Sequence, residues 1–191
     1  MNSITSMDNT KYVNLEIQKF IAQLSSQTFD EFKARLTEKS SNIFLKEWED
    51  NNLFMVTNNF TKNNQNLSDL ERECRSIIMS KSPLQVVCYT YDDIYYNQDA
   101  KDYLIKNIDH EKVIQECFEG TLLSVYFHDN KWNIGTRRCI DASKSIWTSN
   151  KSYFDMFLEC INVDFDEFTS YLKEENNYYF VLVHYCLLYT S

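Results

Sequence analysis

Only two glycines, Gly120 and Gly135, and one proline, Pro83, punctuate 191 residues. Glycine is the usual residue wherever the backbone must turn left-handed, because a β-carbon clashes there. A chain this poor in it must build its turns from Asn, Asp and Ser, whose short side chains hydrogen-bond back to the backbone. With 43% hydrophobic residues, the chain can bury a sizeable core, and the sequence predicts one globular domain behind a helical lead-in.

Charge narrows the functions open to it. A formal net charge of −9 argues against an extended basic surface, since nucleic-acid affinity comes largely from Lys and Arg displacing counterions from phosphates. Any such contact must be local. The cysteines at 74, 88, 117, 139, 160 and 186 are scattered, with no C-x-x-C pair or neighbouring His pair to build a metal cage, so no metal site is expected. The first thirty residues lack a basic start followed by an apolar run, so no secretory leader is expected, and reduced thiols in the cytoplasm are the plain reading. The longest apolar run, Tyr178 to Tyr189, is too short for a membrane helix and is expected to form a buried strand over 178–188.

Periodicity supplies the elements. Val13, Ile17, Phe20, Ile21 and Leu24 recur at helical spacing and predict a helix over about 11–25. Thr28 and Glu31 read as a capping box opening a second helix, with Phe32 and Leu36 as its apolar stripe. A short strand is predicted at 53–56 and a loop in the Asn-rich 58–66. Strands at 74–79 and 84–91 flank Lys81-Ser82-Pro83 as a hairpin, a brief helix follows at 99–107, and strands at 121–127 and 131–136 form a second hairpin. Helices are predicted near 152–161 and 165–174, the latter opened by an Asp164–Glu167 capping box.

Four strings then fall in a telling order. They are Glu73-Cys74-Arg75-Ser76-Ile77-Ile78, Ile94-Tyr95-Tyr96-Asn97, Cys117-Phe118-Glu119-Gly120-Thr121-Leu122 and Gly135-Thr136-Arg137-Arg138, with Phe180-Val181-Leu182-Val183 as a fifth. In order and approximate spacing the series resembles phage-type, ATP-dependent RNA ligases, which show E-C-R-G, K-F-F-N, K-x-D-G-S-L, an S-x-G or T-R-G segment and F-E-L-V. The likeness covers about residues 28 to 185. It implies an α+β fold of covalent nucleotidyltransferase type, related to ATP-grasp proteins, with antiparallel sheets and flanking helices. It also implies a helical lead-in over 1–50 and a partial adenylation domain over 51–185.

In that family the lysine of K-x-D-G attacks the α-phosphate of ATP, AMP passes to an RNA 5′-phosphate, and the 3′-hydroxyl then displaces it. Cys117 stands at the nucleophile position here, and no Lys-x-Asp-Gly occurs elsewhere in the chain. Glu119 replaces the aspartate, Ile94 the lysine of K-F-F-N, and Val181 the carboxylate of F-E-L-V. The resemblance thus implies ATP and Mg2+ as cofactors, with a catalytic step impaired by the missing amine. Arg75 matches a family arginine near the nucleotide, and its planar fork suits phosphate oxygens. Tyr95 and Tyr96 stand where the family has aromatics and could stack on a base, or simply pack in a core. Arg137 and Arg138 could grip phosphates, or line a solvated turn. Gly120 is read as permitting close approach of backbone to a ligand, or only a turn.

Family members continue with E-G-x-V and K-x-K segments that this chain lacks, and Cys186 to Ser191 reads as a translated adapter tail, so a domain incomplete at its C-terminus is expected. Two functions follow: an RNA end-joining or repair enzyme by ancestry, impaired in this copy, or a non-catalytic module that binds nucleotide, RNA ends or another protein. A DNA ligase or capping-type guanylyltransferase fits the strings less well.

Overall fold

The computed structural model describes residues 14–48, 51–58, 67–91, 95, 97–107, 118–146 and 150–188. It is a mixed α+β structure with two antiparallel sheets and flanking helices, divided into compact units at Tyr89/Thr90.

In the first unit, α1 (Glu16–Ala22) and α2 (Phe29–Lys39) lead into β1 (Ile43–Glu47) and β2 (Leu53–Asn58). A short α3 (Asp69–Glu73) then precedes β3 (Ile77–Lys81) and β4 (Leu84–Tyr89). The strands make a simple meander in chain order, every neighbour antiparallel. Ile17, Ile21 and Leu24 of the first helical segment and Phe32 and Leu36 of α2 pack on Phe54, Val56, Ile77 and Met79, the inward residues of β2 and β3. Residues of the 1–50 segment therefore share one core with the sheet that follows them. Phe29 closes edge-to-face on Phe54 at 4.8 Å, a favoured aromatic geometry.

The second unit holds α4 (Asn97–Asn107), the hairpin β5 (Thr121–His128) and β6 (Lys131–Thr136), a 3-10 turn at Ala142–Lys144, α5 (Tyr153–Ile161), α6 (Phe165–Thr169), β7 (Tyr178–Leu182) and α7 (Tyr185–Leu188). Its sheet has the order β6-β5-β7. Leu123 and Val125 meet Met156, Phe157 and Leu182 in the core, with Phe168 and Phe180 packed around them.

Local chemistry explains where the elements depart from expectation. Thr28 caps α2 by accepting from the Glu31 amide, but the Glu31 carboxylate reaches past it to the amides of Ser25 and Ser26, at 2.9 and 2.6 Å. Asp164 makes no side-chain cap. Full capping boxes occur instead at Ser68/Glu71 and Ser152/Asp155. The first of these opens α3, so the strand expected from 74 begins at Ile77. The helix expected to 174 ends at Thr169, where Thr169 and Ser170 hydroxyls take the Asp166 and Glu167 carbonyls in local bonds that compete with the helix. The strand expected to 188 ends at Leu182, because the chain then turns to bury His184 and starts α7. Residues 11–13, 59–66 and 92–94 lie outside the described residues.

The shortage of glycine is met as the composition requires. Gln27, Asn97, Asp129, Asn130 and Asn162 take positive φ, and no glycine among the described residues does. Asp129 (φ 51°) and Asn130 (φ 57°) form the two-residue loop of the β5–β6 hairpin, the left-handed pair whose twist suits adjacent strands.

Candidate functional site

Because β5 runs antiparallel to both neighbours, its first residues lie beside the last residues of β6 and β7. Thr121 is opposite Leu182, and Leu123 is opposite Thr136. Three of the five strings behind the ligase resemblance are thereby gathered at one end of one sheet: Glu119-Gly120 entering β5, Thr136-Arg137-Arg138 leaving β6, and Phe180 to Val183 along and after β7.

Gly120 is needed there for space. A β-carbon on it would stand 2.4 Å from the Leu182 carbonyl oxygen and 2.8 Å from Val181 Cγ1, so the close approach is to the neighbouring strand itself. Glu119, just before it, is exposed.

The arginine turn is built from the same end of β6. Thr136 Oγ1 accepts from the amides of Arg138 and Cys139 at 3.2 and 3.1 Å, and the Thr136 amide donates to the Cys139 carbonyl at 2.8 Å. The chain then folds back so closely that a β-carbon on Gly135 would lie 3.0 Å from the Cys139 carbonyl oxygen. The buried Tyr126 hydroxyl donates to the Ile140 carbonyl at 3.0 Å. Arg137 and Arg138 thus stand exposed on a braced turn, which costs a bound anion less ordering than a loose loop does.

At the same sheet end, the buried His184 Nε2 lies 3.0 Å from Glu159 Oε2, while the other Glu159 oxygen accepts from Lys151 Nζ at 2.5 Å. Lys151 also reaches the Tyr185 hydroxyl at 3.4 Å. The Glu159 carboxyl is held below its ordinary range by the hydrogen bonds from Lys151 and His184. The Lys151 amine is raised above its own, chiefly by Glu159. It stays an ammonium, so Lys151 is no replacement for the nucleophilic amine that the ligase chemistry needs.

Arg75 lies in the first unit, half-buried between α3 and β3. Its neighbour Glu73 is buried, and its carboxylate accepts from the amides of Glu16 and Ile17, both at 2.7 Å, at the start of α1. Cys74 is buried too, and burial followed by the charge of Glu73 pushes its thiol up. Glu73 and Cys74 are therefore structural. Tyr95 is exposed and stacks on Tyr103 of α4, centroids 4.7 Å apart. Cys117 and Tyr96 lie outside the described residues.

Among the described residues, no three His, Cys, Asp or Glu side chains converge to hold a metal ion. No helix among them is long and apolar enough to cross a membrane. None of Tyr126, Lys151, Glu159 and His184 belongs to the five strings. Nothing in their local spacing marks them, because contacts between residues far apart in the chain, Tyr126 with Ile140 and Glu159 with His184, set their places.

One relative stands out by sequence. A segment of 109 residues is 32% identical to the immediate-early protein ICP-46 homolog of invertebrate iridescent virus 6. The match covers 54% of this chain and 24% of the viral protein, so the chain spans about a quarter of that relative's length. No family model and no solved structure matches.

Proposed function

We propose that the chain is an RNA ligase-like nucleotidyltransferase domain, impaired in adenylation, whose sheet end in the second unit binds the phosphates of a nucleotide or an RNA end. The observation that carries this reading is the gathering of Gly120, Arg137-Arg138 and the Phe180–Val183 strand at one sheet end. Two guanidinium groups on a braced turn supply planar, charge-assisted donors for phosphate oxygens. They do so locally, as a chain of net charge −9 requires. Glu119, exposed at the entry to β5, suits a role in orienting a ribose hydroxyl or a hydrated cation.

Transfer of AMP to the protein would need an unprotonated amine. Cys117 occupies that position in the sequence, Lys151 is held protonated by Glu159, and burial holds the Cys74 thiol protonated. Binding without turnover is the consequence.

Incubation with α-labelled ATP and a divalent metal, followed by denaturing separation, is expected to leave no label on the protein. Titration with ATP and with 5′-phosphorylated RNA is expected to saturate. Arg137→Ala with Arg138→Ala should weaken it by about 10-fold or more, the scale on which two charge-assisted bonds act. Failure of both ligands to bind would end this reading. A covalent adduct would replace the impaired domain with a working enzyme.

A further inference from the structure

α4 buries none of its residues, yet it carries half of an aromatic pair. Tyr103 of α4 and Tyr95, just before the helix, stack with centroids 4.7 Å apart and planes 15° apart. Stacked rings of this kind commonly contribute to a core or an interface. Here Tyr95 and Tyr103 stay 44 and 45% exposed, so each ring gives one face to the other and keeps much of the rest in water. A helix sets residues three and four apart side by side on its surface, which puts Lys106 next to Tyr103. Lys106 is exposed, and among the described residues no carboxylate pairs with it. The nearer acids do not answer it: Asp102 accepts from Gln98 Nε2 at 2.8 Å, and Asp99 lies a turn away towards the start of the helix. The result is an uncompensated ammonium one turn from an open stack of rings.

We propose that this face of α4 binds single-stranded RNA, with a base stacking on the Tyr95–Tyr103 pair and the neighbouring phosphate meeting Lys106. Every base has a π face and every nucleotide a phosphate, so ring and cation together recognise the strand without reading its sequence. A docking protein would need the apolar surface of Leu104 and Ile105, exposed beside Tyr103, and nothing of the ring stack or the ammonium. The combination of those two suits a nucleotide. It is also a local contact, the only kind that a chain of net charge −9 allows. The inference extends the RNA-binding reading above from phosphate ends to bases, and it uses none of the arginine-turn residues.

Fluorescence-anisotropy titration of the full chain with a short 5′-hydroxyl oligoadenylate tests this, because that probe has no terminal phosphate to offer the arginine turn. Saturable binding is expected. Tyr103→Ala should raise the Kd about 10-fold with the salt dependence unchanged, and Tyr103→Trp should restore it by supplying a larger ring. Lys106→Gln should weaken binding and lower the slope of log Kd against log salt by about 1. Both positions are exposed on a helix that tolerates alanine and glutamine, and circular dichroism checks each variant. A wild-type chain that does not bind oligoadenylate overturns the proposal; if ATP still binds, the arginine-turn reading stands without it. A Tyr103→Ala chain that binds like wild type overturns it too, since attraction of charge alone would then account for the affinity.

Discussion

Gly120 shows how one residue can be misread in kind while its importance is legible. As part of a ligase-like string it implied backbone approaching a ligand. In the structure it lets β5 start against β7, where a β-carbon would lie 2.4 Å from a carbonyl oxygen. The obstacle is backbone, which cannot swing aside like a flexible side chain. Gly120→Ala is therefore expected to destabilise the protein by about 1–3 kcal/mol, the range of overpacking substitutions, as a lower urea midpoint with unchanged slope. Glu73 carries the same lesson. It belongs to the E-C-R string, yet its carboxylate closes the N-terminus of α1 through two amides, where exposed donors and the helix dipole favour a negative group.

At the scale of elements, that cap ties a helix to a residue 56 and 57 positions away in sequence. α1 has no side-chain cap of its own from Leu15, and at seven residues it is too short to persist alone. Glu73→Ala should cost about 1–3 kcal/mol by leaving buried amides unsatisfied. Hydrogen exchange should show faster opening of α1 than of α5, whose own Ser152/Asp155 box is local. The hairpins at Lys81–Leu84 and Asp129–Asn130 were legible because turn residues separate two apolar runs. β1 was not: only Ile43 is buried in it, Phe44 is exposed, and it ends in Lys46-Glu47. An outer strand half in water carries too little apolar alternation to announce itself.

Over the whole molecule, carboxylates hydrogen-bonded in the folded state set the acid limit. Glu71 is lowered from 4.5 to about 2, first by the Ser40 hydroxyl and then by the Ser68 amide. Glu31 is lowered to about 2 by Ser26 and then Ser25. Glu47, Asp155 and Glu159 move the same way. A carboxyl whose folded pKa lies below its unfolded one stabilises the protein above the unfolded value and loses that stabilisation as pH falls towards the folded value. The melting temperature is thus expected to fall between about pH 4.5 and pH 2, with Glu71→Gln flattening part of that slope in a thermal series.

Sequence alone determined the composition of the turns, the position of both hairpins, and the helical stripes of α1 and α2. Each of these follows from neighbours within a few residues, where backbone sterics and apolar period act directly. Tertiary structure alone decided that Glu159 pairs with His184 beyond β7, and that Tyr126 braces the turn after β6 through the Ile140 carbonyl. It also decided that Glu73 serves α1, and that β7, among the described residues, borders only β5. Strand pairing and burial set those relations, and both join residues far apart in the chain whose partnership no local pattern encodes.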